Sequence, residues 1–380
     1  MNILIIASTY PTHDDPVSGV FIKRIVEQFS EFGHICTVIS PRKFLRDKPR
    51  TEYERQGNVN VYFPQYFGLW YDSKIKGDLI ARVSEYEYYR AVVKVINEKN
   101  IEFDVVYAHF VGITATVAEK IAKRYKKKAF AACGESNFWT ISKYDKVRRV
   151  NALNQLNGII SVSSENREKL LALGVKDVGK KIRVFPNGVQ SNIFYPMDKM
   201  YARDMMGFKH DDFIVGFSGY FIERKGVLRL SKAVDGLKGV KVAFAGKGEQ
   251  KPHTDNMIMC KQISPEKMPF YLNSLDVFVL PTLQEGCCNA IVEAIACGIP
   301  VISSNRSFND DILDDSYSIR INPESIDEIR NAIILLKNNK KMLLEMTKSA
   351  VETGKNFSIR VRAEKILQWI METIYEYTED

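Results

Sequence analysis

Short apolar runs alternate with longer amphipathic stretches along almost the whole chain. The runs have the length of buried strands, and the stretches between them carry apolar residues at helical spacing. Such alternation predicts parallel sheets that are covered by helices on both faces. In the first half we predict strands at 3–7, 36–39, 59–63, 105–108, 129–132, 159–162 and 182–185, and helices at 20–32, 80–97, 113–125 and 165–173.

The second half repeats the pattern after a turn-rich segment at 186–196. A chain of 380 residues is too long for one ordinary core. We therefore predict an α/β protein with two doubly wound domains, 1–188 and 189–356, and a final apolar helix within 357–380. The predicted elements of the second domain are strands at 213–217, 240–245, 277–280 and 300–303, and helices at 226–236, 265–274 and 289–297.

The composition is that of a soluble globular protein, with 45% apolar and 26% charged residues. No apolar run approaches the ~18 to 20 residues that span a bilayer. The N-terminal segment 1–6 is typical of a first buried strand rather than of a signal peptide, so we expect a cytoplasmic protein. The 6 cysteines show no metal-binding spacing, which favours reduced thiols.

The net charge of +8 is concentrated in the first half of the chain. Residues 1–190 carry 30 Lys and Arg against 20 Asp and Glu, whereas the remainder carries 24 against 26. The basic residues cluster at 42–50 and 120–128. Two interpretations stay open: a solvated surface, or attraction to an anionic membrane face or a polyanionic ligand. Because no recognised motif accompanies the charge, nucleic acid is not an expected partner.

Residues 281–300 are the most informative stretch for function. Glu285 lies in a small-residue loop after an apolar run, and Glu293 lies one turn into a predicted helix. A helix that begins after such a loop offers free backbone N–H groups and the positive end of its dipole to an anion. With a carboxylate on each side, this arrangement suits a nucleotide-sugar: the diphosphate at the helix start and hydroxyl-rich rings at both ends.

Further segments complete a family resemblance when they are read in chain order. They are a glycine loop at 18–21, a strand that ends in His109, a segment at 181–189, and a glycine- and lysine-containing loop at 218–226. Together with the E-x7-E spacing of Glu285 and Glu293, they resemble family 4 of the retaining glycosyltransferases, within glycosyl transferases group 1. That resemblance covers most of the chain.

The resemblance implies the GT-B fold, in which two Rossmann-like domains with parallel sheets face a central cleft. The first domain would bind the acceptor, the second would bind the nucleotide-sugar, and the last helix would cross back to the first domain. It also implies a hexosyltransferase-type enzyme that uses a UDP-sugar and a lipid-linked or polysaccharide acceptor. The implied donor-binding residues are Gly19, Gly219, Arg224, Lys225, Glu285, Gly286, Cys287, Cys288, Asn289 and Glu293.

The same resemblance implies catalytic roles for two of these positions, Glu285 and Lys225, and for His109. Glu285 would bind sugar hydroxyls and position the ring, Lys225 would neutralise a phosphate, and His109 would assist near the reacting centre. Glu293 would accept hydrogen bonds from the ribose. The leaving diphosphate gains negative charge, so the protein must supply fixed positive charge at that point.

No metal and no cofactor are expected. The chain contains no Asp-x-Asp, the motif by which the other major glycosyltransferase fold holds a divalent metal. Lys225 and the helix N-terminus would then do the work of the metal. No protein nucleophile is needed if the acceptor attacks the face from which the phosphate departs and the phosphate takes the acceptor's proton.

The sequence also departs from the family pattern. Tyr220 stands where an arginine is usual, with Arg224 a neighbouring substitute, and Cys133 stands where many relatives have histidine. Glu135 would contact the acceptor or lie at the surface. Trp70 and Tyr71 would stack on a sugar, enter a lipid headgroup region, or belong to the core.

Other functions remain as alternatives. A cofactor-independent nucleotide-sugar epimerase shares the architecture and needs no acceptor. A non-catalytic glycan- or nucleotide-binding protein is favoured only by Tyr220 and Cys133. A nicotinamide dehydrogenase is disfavoured, because the first strand is not followed by G-x-G-x-x-G.

Overall fold

The computed structural model describes residues 1–44, 52–68, 77–135, 138, 141 and 145–375. The chain divides into two compact units. The first unit contains Met1–Phe185 together with Ala363–Asp380, and the second contains Pro186–Arg362. Each unit is described separately below.

The first unit is built on a sheet whose strand order is β10-β9-β8-β7-β1-β2-β5-β4. The central strands are almost continuously apolar because helices cover both faces, and β1 is buried from its second residue onward. A small separate sheet pairs β3 with β6. The strands are β1 Asn2–Ala7, β2 Ile35–Ile39, β3 Arg42–Lys43, β4 Tyr53–Gln56, β5 Val59–Tyr62, β6 Gln65–Tyr66, β7 Val105–His109, β8 Lys128–Cys133, β9 Gly158–Ser161 and β10 Ile182–Val184.

Helix α1 of the first unit turns an apolar stripe to this sheet. In α1 the buried residues are Ile22, Ile25, Val26 and Phe29, which follow the helical period. The described helices are α1 Val20–Glu31, α2 Gly77–Glu98, α3 Ile113–Tyr125, α4 Lys146–Gln155 and α5 Ser164–Leu173.

The second unit has one parallel sheet in the order β13-β12-β11-β14-β15-β16. Counted from its own first strand, this is the 3-2-1-4-5-6 order of the Rossmann fold. The first unit shows the same order around β1, with β2 and β5 on one side and β7, β8 and β9 on the other. The strands are β11 Phe213–Tyr220, β12 Val240–Lys247, β13 Met257–Lys261, β14 Val277–Leu280, β15 Val301–Ser304 and β16 Ser318–Ile321.

Helices connect β11 to β12, β13 to β14 and β14 to β15, and a final helix returns the chain to the first unit. Within that last helix, Trp369 is buried and packs its ring 5.5 Å from that of Phe130. None of the described helices is long and apolar enough to cross a membrane. The helices are α6 Lys199–Met206, α7 Val227–Val234, α8 Met268–Asn273, α9 Asn289–Ala296, α10 Ile326–Asn338, α11 Lys340–Gly354 and α12 Ile359–Tyr375.

The α/β fold class with two Rossmann-like domains is confirmed, but the sheet of the first unit is not wholly parallel. Strand β4 pairs with β5 in the antiparallel sense. The reason is local: only Gly57 and Asn58 separate the two strands, and so short a connection makes a hairpin. The edge strands β13 and β16 were also not predicted. In β16, Ser318 and Arg320 interrupt the apolar positions, whereas β13 is a short apolar run that was missed.

Candidate functional site

The sheet of the second unit opens at its carboxyl edge between β11 and β14. The ladder between these strands consists of Val215–Val277 and Gly216–Phe278. Beyond it, the hydroxyl oxygen of Tyr271 accepts the N–H of Phe217 at 2.9 Å and lies 2.8 Å from the same residue's carbonyl oxygen. The strands diverge where the chain order reverses, which is where open α/β sheets bind ligands.

Glycine brings the loop after β11 against the end of β14. Gly226 has φ 76°, and a Cβ there would lie 2.4 Å from the carbonyl oxygen of Pro281. The N–H of Leu283 donates to the carbonyl of Arg224 at 2.8 Å. The backbone therefore fixes the predicted lysine loop beside the predicted glutamate loop.

Glu285 and two cations meet at this junction. The Oε1 atom of Glu285 lies 2.6 Å from Lys225 Nζ and 2.9 Å from Arg224 Nη1. The hydroxyl of Thr282 lies 2.8 Å from the same oxygen, and Glu285 is only 8% exposed. Two cations face one carboxylate, so the cluster has one positive charge in excess and is suited to an anion.

Arg224 and Tyr220 take different positions at the carboxyl end of β11. The Arg224 guanidinium bonds to Glu285 and to the carbonyl oxygen of Gln284. Tyr220, at the position where the family usually has arginine, is 63% exposed. A second cation therefore accompanies Lys225, although it comes from a different position in the loop.

Asn187 organises the loop that begins α9, a role that sequence reasoning missed. Its backbone N–H lies 3.3 Å from Cys287 Sγ, and its side-chain amide lies 3.3 Å from the Cys287 carbonyl oxygen. The same amide donates to Asn289 Oδ1 at 2.8 Å. The Pro-Asn-Gly pattern at 186–188 predicts a turn in the segment between the domains, but it does not indicate this contact.

The remaining residues predicted from this stretch lie on the same loop and helix. Gly286 is buried beside Glu285, and Glu293 is the fifth residue of α9 and half-buried. Burial raises the pKa of Cys287 to about 12 and that of Cys288 to about 11. Both thiols are therefore protonated at neutral pH and are not reactive thiolates.

A cavity of about 220 Å³ lies beside the lysine loop. It is bounded by the carboxyl ends of β11 and β12 and by the chain after β13. A Cβ on Gly246 would lie 1.9 Å from the Gly219 carbonyl oxygen, so glycine is required where these two strand ends meet. Lining residues include Ser218, Gly219, Gly246, Gln262, Ile263 and Met268.

In the first unit, the predicted residues again lie at the reversal of strand order, after β1 and β7. Gly19 precedes α1 with φ 79°, and a Cβ there would lie 3.0 Å from the Thr9 carbonyl and from Tyr10 Cα. His109 ends β7 and is 7% exposed. Its ring centroid is 5.4 Å from that of Phe21 and 5.0 Å from that of Phe110.

The turn after His109 is held by Glu135. Phe110 has φ 78°, an unfavourable conformation for a bulky residue. Immediately after it, the N–H of Val111 donates to Glu135 Oε1 at 2.7 Å. Burial raises the pKa of Glu135 to about 7, opposed by this N–H bond. Glu135 is half-buried as a residue, and its carboxyl group is turned inward.

Other sequence predictions are placed as follows. Cys133 is buried at the end of β8, and burial raises the pKa of its thiol. Trp70 and Tyr71 lie outside the described residues. Within the described parts of the chain, no group of three or more His, Cys, Asp or Glu side chains could hold a metal ion.

Comparison with known proteins agrees with this geometry. The sequence model of the family "Glycosyl transferases group 1" matches residues 201–353. The glycosyltransferase TuaC of Bacillus subtilis, named for teichuronic acid biosynthesis, is 26% identical over 370 residues, which cover 93% of each chain.

Solved structures show a similar fold over nearly the whole length. Sucrose-phosphate synthase from Thermosynechococcus elongatus has a TM-score of 0.76 at 17% identity, with 98% of this chain and 99% of that chain covered. HepE of Anabaena in complex with UDP has a TM-score of 0.73 at 13% identity, with 98% and 100% covered. The chain is therefore a glycosyltransferase with the GT-B fold, and its second unit contains the segment that is similar to glycosyl transferases group 1.

Proposed function

We propose that the enzyme transfers a hexose from a UDP-sugar to a lipid-linked or polysaccharide acceptor, with retention of configuration and without a metal ion. The observation that carries the proposal is the Glu285 carboxylate held by Lys225 and Arg224, at 2.6 and 2.9 Å, at the reversal of strand order. A nucleotide-sugar needs both a cation for its diphosphate and an acceptor for its hydroxyl groups, and this cluster has both.

The donor would lie across three parts of the second unit. Its diphosphate would bind beside Lys225 and Arg224 and the first turn of α9, where the positive end of the helix dipole favours an anion. The base would enter the 220 Å³ cavity that adjoins Gly219. The HepE complex with UDP supports uracil as the base, because that protein has the same fold.

In the transfer step, the bond between the anomeric carbon and the phosphate oxygen breaks and the diphosphate gains negative charge. The cations and the helix start stabilise that charge, while Glu285 accepts hydrogen bonds from the sugar hydroxyls and fixes the ring. The acceptor hydroxyl attacks from the face that the phosphate leaves, and a phosphate oxygen takes its proton. His109 of the first unit would position the acceptor side of the reaction.

A relative that covers 93% of the chain is named for teichuronic acid biosynthesis, which supports a cell-surface glycan as product. We place the enzyme in the cytoplasm, in peripheral contact with the inner face of the membrane. Cell fractionation tests this, with the protein expected partly in the membrane pellet and released by salt.

Glu285→Gln is the variant that tests the site. It retains the size of the side chain and removes the charge. We expect turnover to fall at least ~100-fold, as for loss of a fixed polar group at a transition state. UDP should bind at least as tightly as in the parent protein, because a negative charge near the diphosphate is gone. A merely structural role would instead weaken UDP binding.

Lys225→Ala should weaken UDP binding roughly tenfold or more, since it removes a desolvated cation. Lys209→Ala changes an exposed lysine of the same unit, is the matched control, and should change neither turnover nor UDP binding.

Product should retain the donor's anomeric configuration by NMR and form in the presence of EDTA. Conversion of the UDP-sugar without any acceptor would favour an epimerase, and full turnover by Glu285→Gln would overturn the assignment.

A further inference from the structure

A second, larger cavity lies in the first unit, and neither Gly19, His109 nor Glu135 lines it. It has a volume of about 620 Å³, enough for several sugar rings by the usual size of ligand pockets. One wall is the small sheet of β3 and β6, and the other is the outer face of α2 with the end of α3. Its lining includes Phe44, Phe67, Tyr86, Arg90, Lys94 and Arg124.

Exposed aromatic rings line this cavity. Phe44 is 61% exposed, Phe67 48% and Tyr86 56%. Large apolar side chains clustered at the surface are uncommon in a monomeric protein unless they contact a ligand or partner. Flat rings beside polar groups are also the usual means by which proteins bind sugar rings through their C–H faces.

The charge of the cavity is positive. Among the lining residues that the structure describes, Arg90, Lys94 and Arg124 accompany one carboxylate, Glu87, which pairs with Arg90 at 3.2 Å. Lys94 has a partner outside the lining, Glu98, at 3.7 Å, but both side chains are more than half exposed and the attraction is weak. A ligand that complements the cavity therefore carries negative charge.

The two walls are fixed to each other and to the predicted acceptor side. Tyr66 of β6 packs its ring 5.1 Å from that of Tyr88 in α2. At the other end of the small sheet, Arg42 Nη2 donates to the Tyr10 carbonyl at 2.7 Å. Tyr10 is the residue whose Cα lies next to Gly19. The cavity is thus connected through β3 to the glycine loop before α1.

We propose that this cavity, which we name the aromatic–cationic groove, binds an anionic sugar chain, carrying carboxylate or phosphate groups, at units away from the acceptor end. The proposal rests on the glycosyltransferase function above and adds the class of acceptor. A chain of sugar rings fits a concave cavity with exposed rings and cations. A flat membrane surface does not fill such a concavity, so a lipid headgroup layer is the less suitable occupant.

Binding of defined oligomers tests the proposal with the full-length protein. The probes are a hexamer of galacturonic acid, neutral maltohexaose, inorganic polyphosphate and phosphatidylglycerol vesicles. We expect the galacturonate hexamer to bind and maltohexaose to bind at least tenfold more weakly. Lys94→Glu with Arg124→Glu should weaken hexamer binding at least tenfold, and Tyr86→Ala should weaken it several-fold.

Matched controls lie elsewhere on the first unit. Lys176→Glu makes the same charge change at an exposed site, and Tyr53→Ala removes a ring that is 43% exposed; both should leave binding unchanged. Equal binding of hexamer by all variants would overturn the proposal. Polyphosphate binding that Tyr86→Ala leaves unchanged would also overturn it, because charge alone would then account for binding. Vesicle binding that is lost in the groove variants, with no binding of the hexamer, would overturn it as well.

The same variants separate this proposal from the function on which it rests. The groove lies in the first unit, and the proposed UDP site lies in the second. UDP should therefore still raise the melting temperature of the groove variants. If UDP stabilises neither the parent nor the variants, the proposed function fails. If UDP stabilises all of them and no variant alters hexamer binding, only the groove proposal fails.

Discussion

Glu135 is a buried carboxyl group whose charge changes near neutral pH. Its pKa is raised to about 7 because burial disfavours the ionised form. In the unfolded chain the pKa of a glutamate is about 4.3. Between pH 5 and 8 the unfolded state is already ionised, whereas the folded state must release its proton. Folding is therefore penalised increasingly as pH rises through this range.

Glu135→Gln removes that penalty while retaining an oxygen for the Val111 N–H. We expect the free energy of unfolding of the variant, relative to the parent protein, to rise from pH 5 to pH 8. Urea denaturation at several pH values measures it. Glu168→Gln, at an exposed carboxylate, is the control. A difference that does not change with pH would contradict the raised pKa.

At the residue scale, the sequence was sufficient to select Glu285, Lys225 and Arg224. In the structure, Lys225 and Arg224 both contact the same carboxylate oxygen of Glu285. It was not sufficient for Thr282 or Asn187. Their contacts depend on how separate loops approach one another, and a hydroxyl or amide side chain has no spacing signal of its own. The roles of the selected residues remain predictions.

At the scale of elements, the lysine loop depends on how close the start of α7 lies to the end of β14. Gly226 and Gly236 both have positive φ, 76° and 69°. A Cβ on Gly226 would lie 2.4 Å from the Pro281 carbonyl oxygen, whereas a Cβ on Gly236 would have nothing within 4 Å. An alanine would therefore suffer similar backbone strain at both positions, but only at position 226 would its Cβ clash with a neighbouring atom.

Gly226→Ala should destabilise the second unit by about 2 to 4 kcal/mol, from left-handed strain and overpacking together. Gly236→Ala should cost only about 1 kcal/mol. UDP binding should weaken about tenfold in the first variant, because Lys225 precedes the displaced residue, and remain unchanged in the second. Thermal unfolding with and without UDP measures both. Equal effects of the two substitutions would show that contact with Pro281 is unimportant.

The elements that the sequence predicted well are the interior ones. Strands such as β1, β7 and β14 are buried on both faces and read as continuous apolar runs. The edge strand β16 alternates Ser318 and Arg320 with apolar residues and has no continuous apolar run, which explains why it was not predicted. The hairpin of β4 and β5 depended on the Gly57–Asn58 turn, which apolar periodicity does not register.

At the scale of the whole molecule, the chain completes its first unit with its last helix. Trp369 is 4% exposed and contacts Phe130 and Phe185, with ring centroids 5.5 and 5.7 Å apart. The Arg183 guanidinium lies 5.1 Å from the centre of the Trp369 ring. The aromatic rings of the first unit that pack against Trp369 thus come from positions 130 and 185.

Trp369→Ala should destabilise the first unit by about 3 to 5 kcal/mol, the usual cost of truncating a buried tryptophan. Lys365→Ala, at an exposed position of the same helix, should change stability by less than ~0.5 kcal/mol. Urea denaturation measures both. UDP-induced stabilisation of the second unit should survive in each variant, and its loss in Trp369→Ala would indicate that the second unit depends on α12.

The return of the chain to its first unit also has a consequence for synthesis. A Cβ on Gly158 would lie 2.6 Å from Trp369 Cη2, so Gly158 leaves room for the Trp369 ring on this face of the first unit's sheet. Trp369 is translated much later than Gly158. At ~5 to 20 residues per second, the ribosome needs roughly 10 to 35 s to pass from residue 185 to 363. During that interval the second unit can fold, while the nascent first unit presents an open apolar face to chaperones.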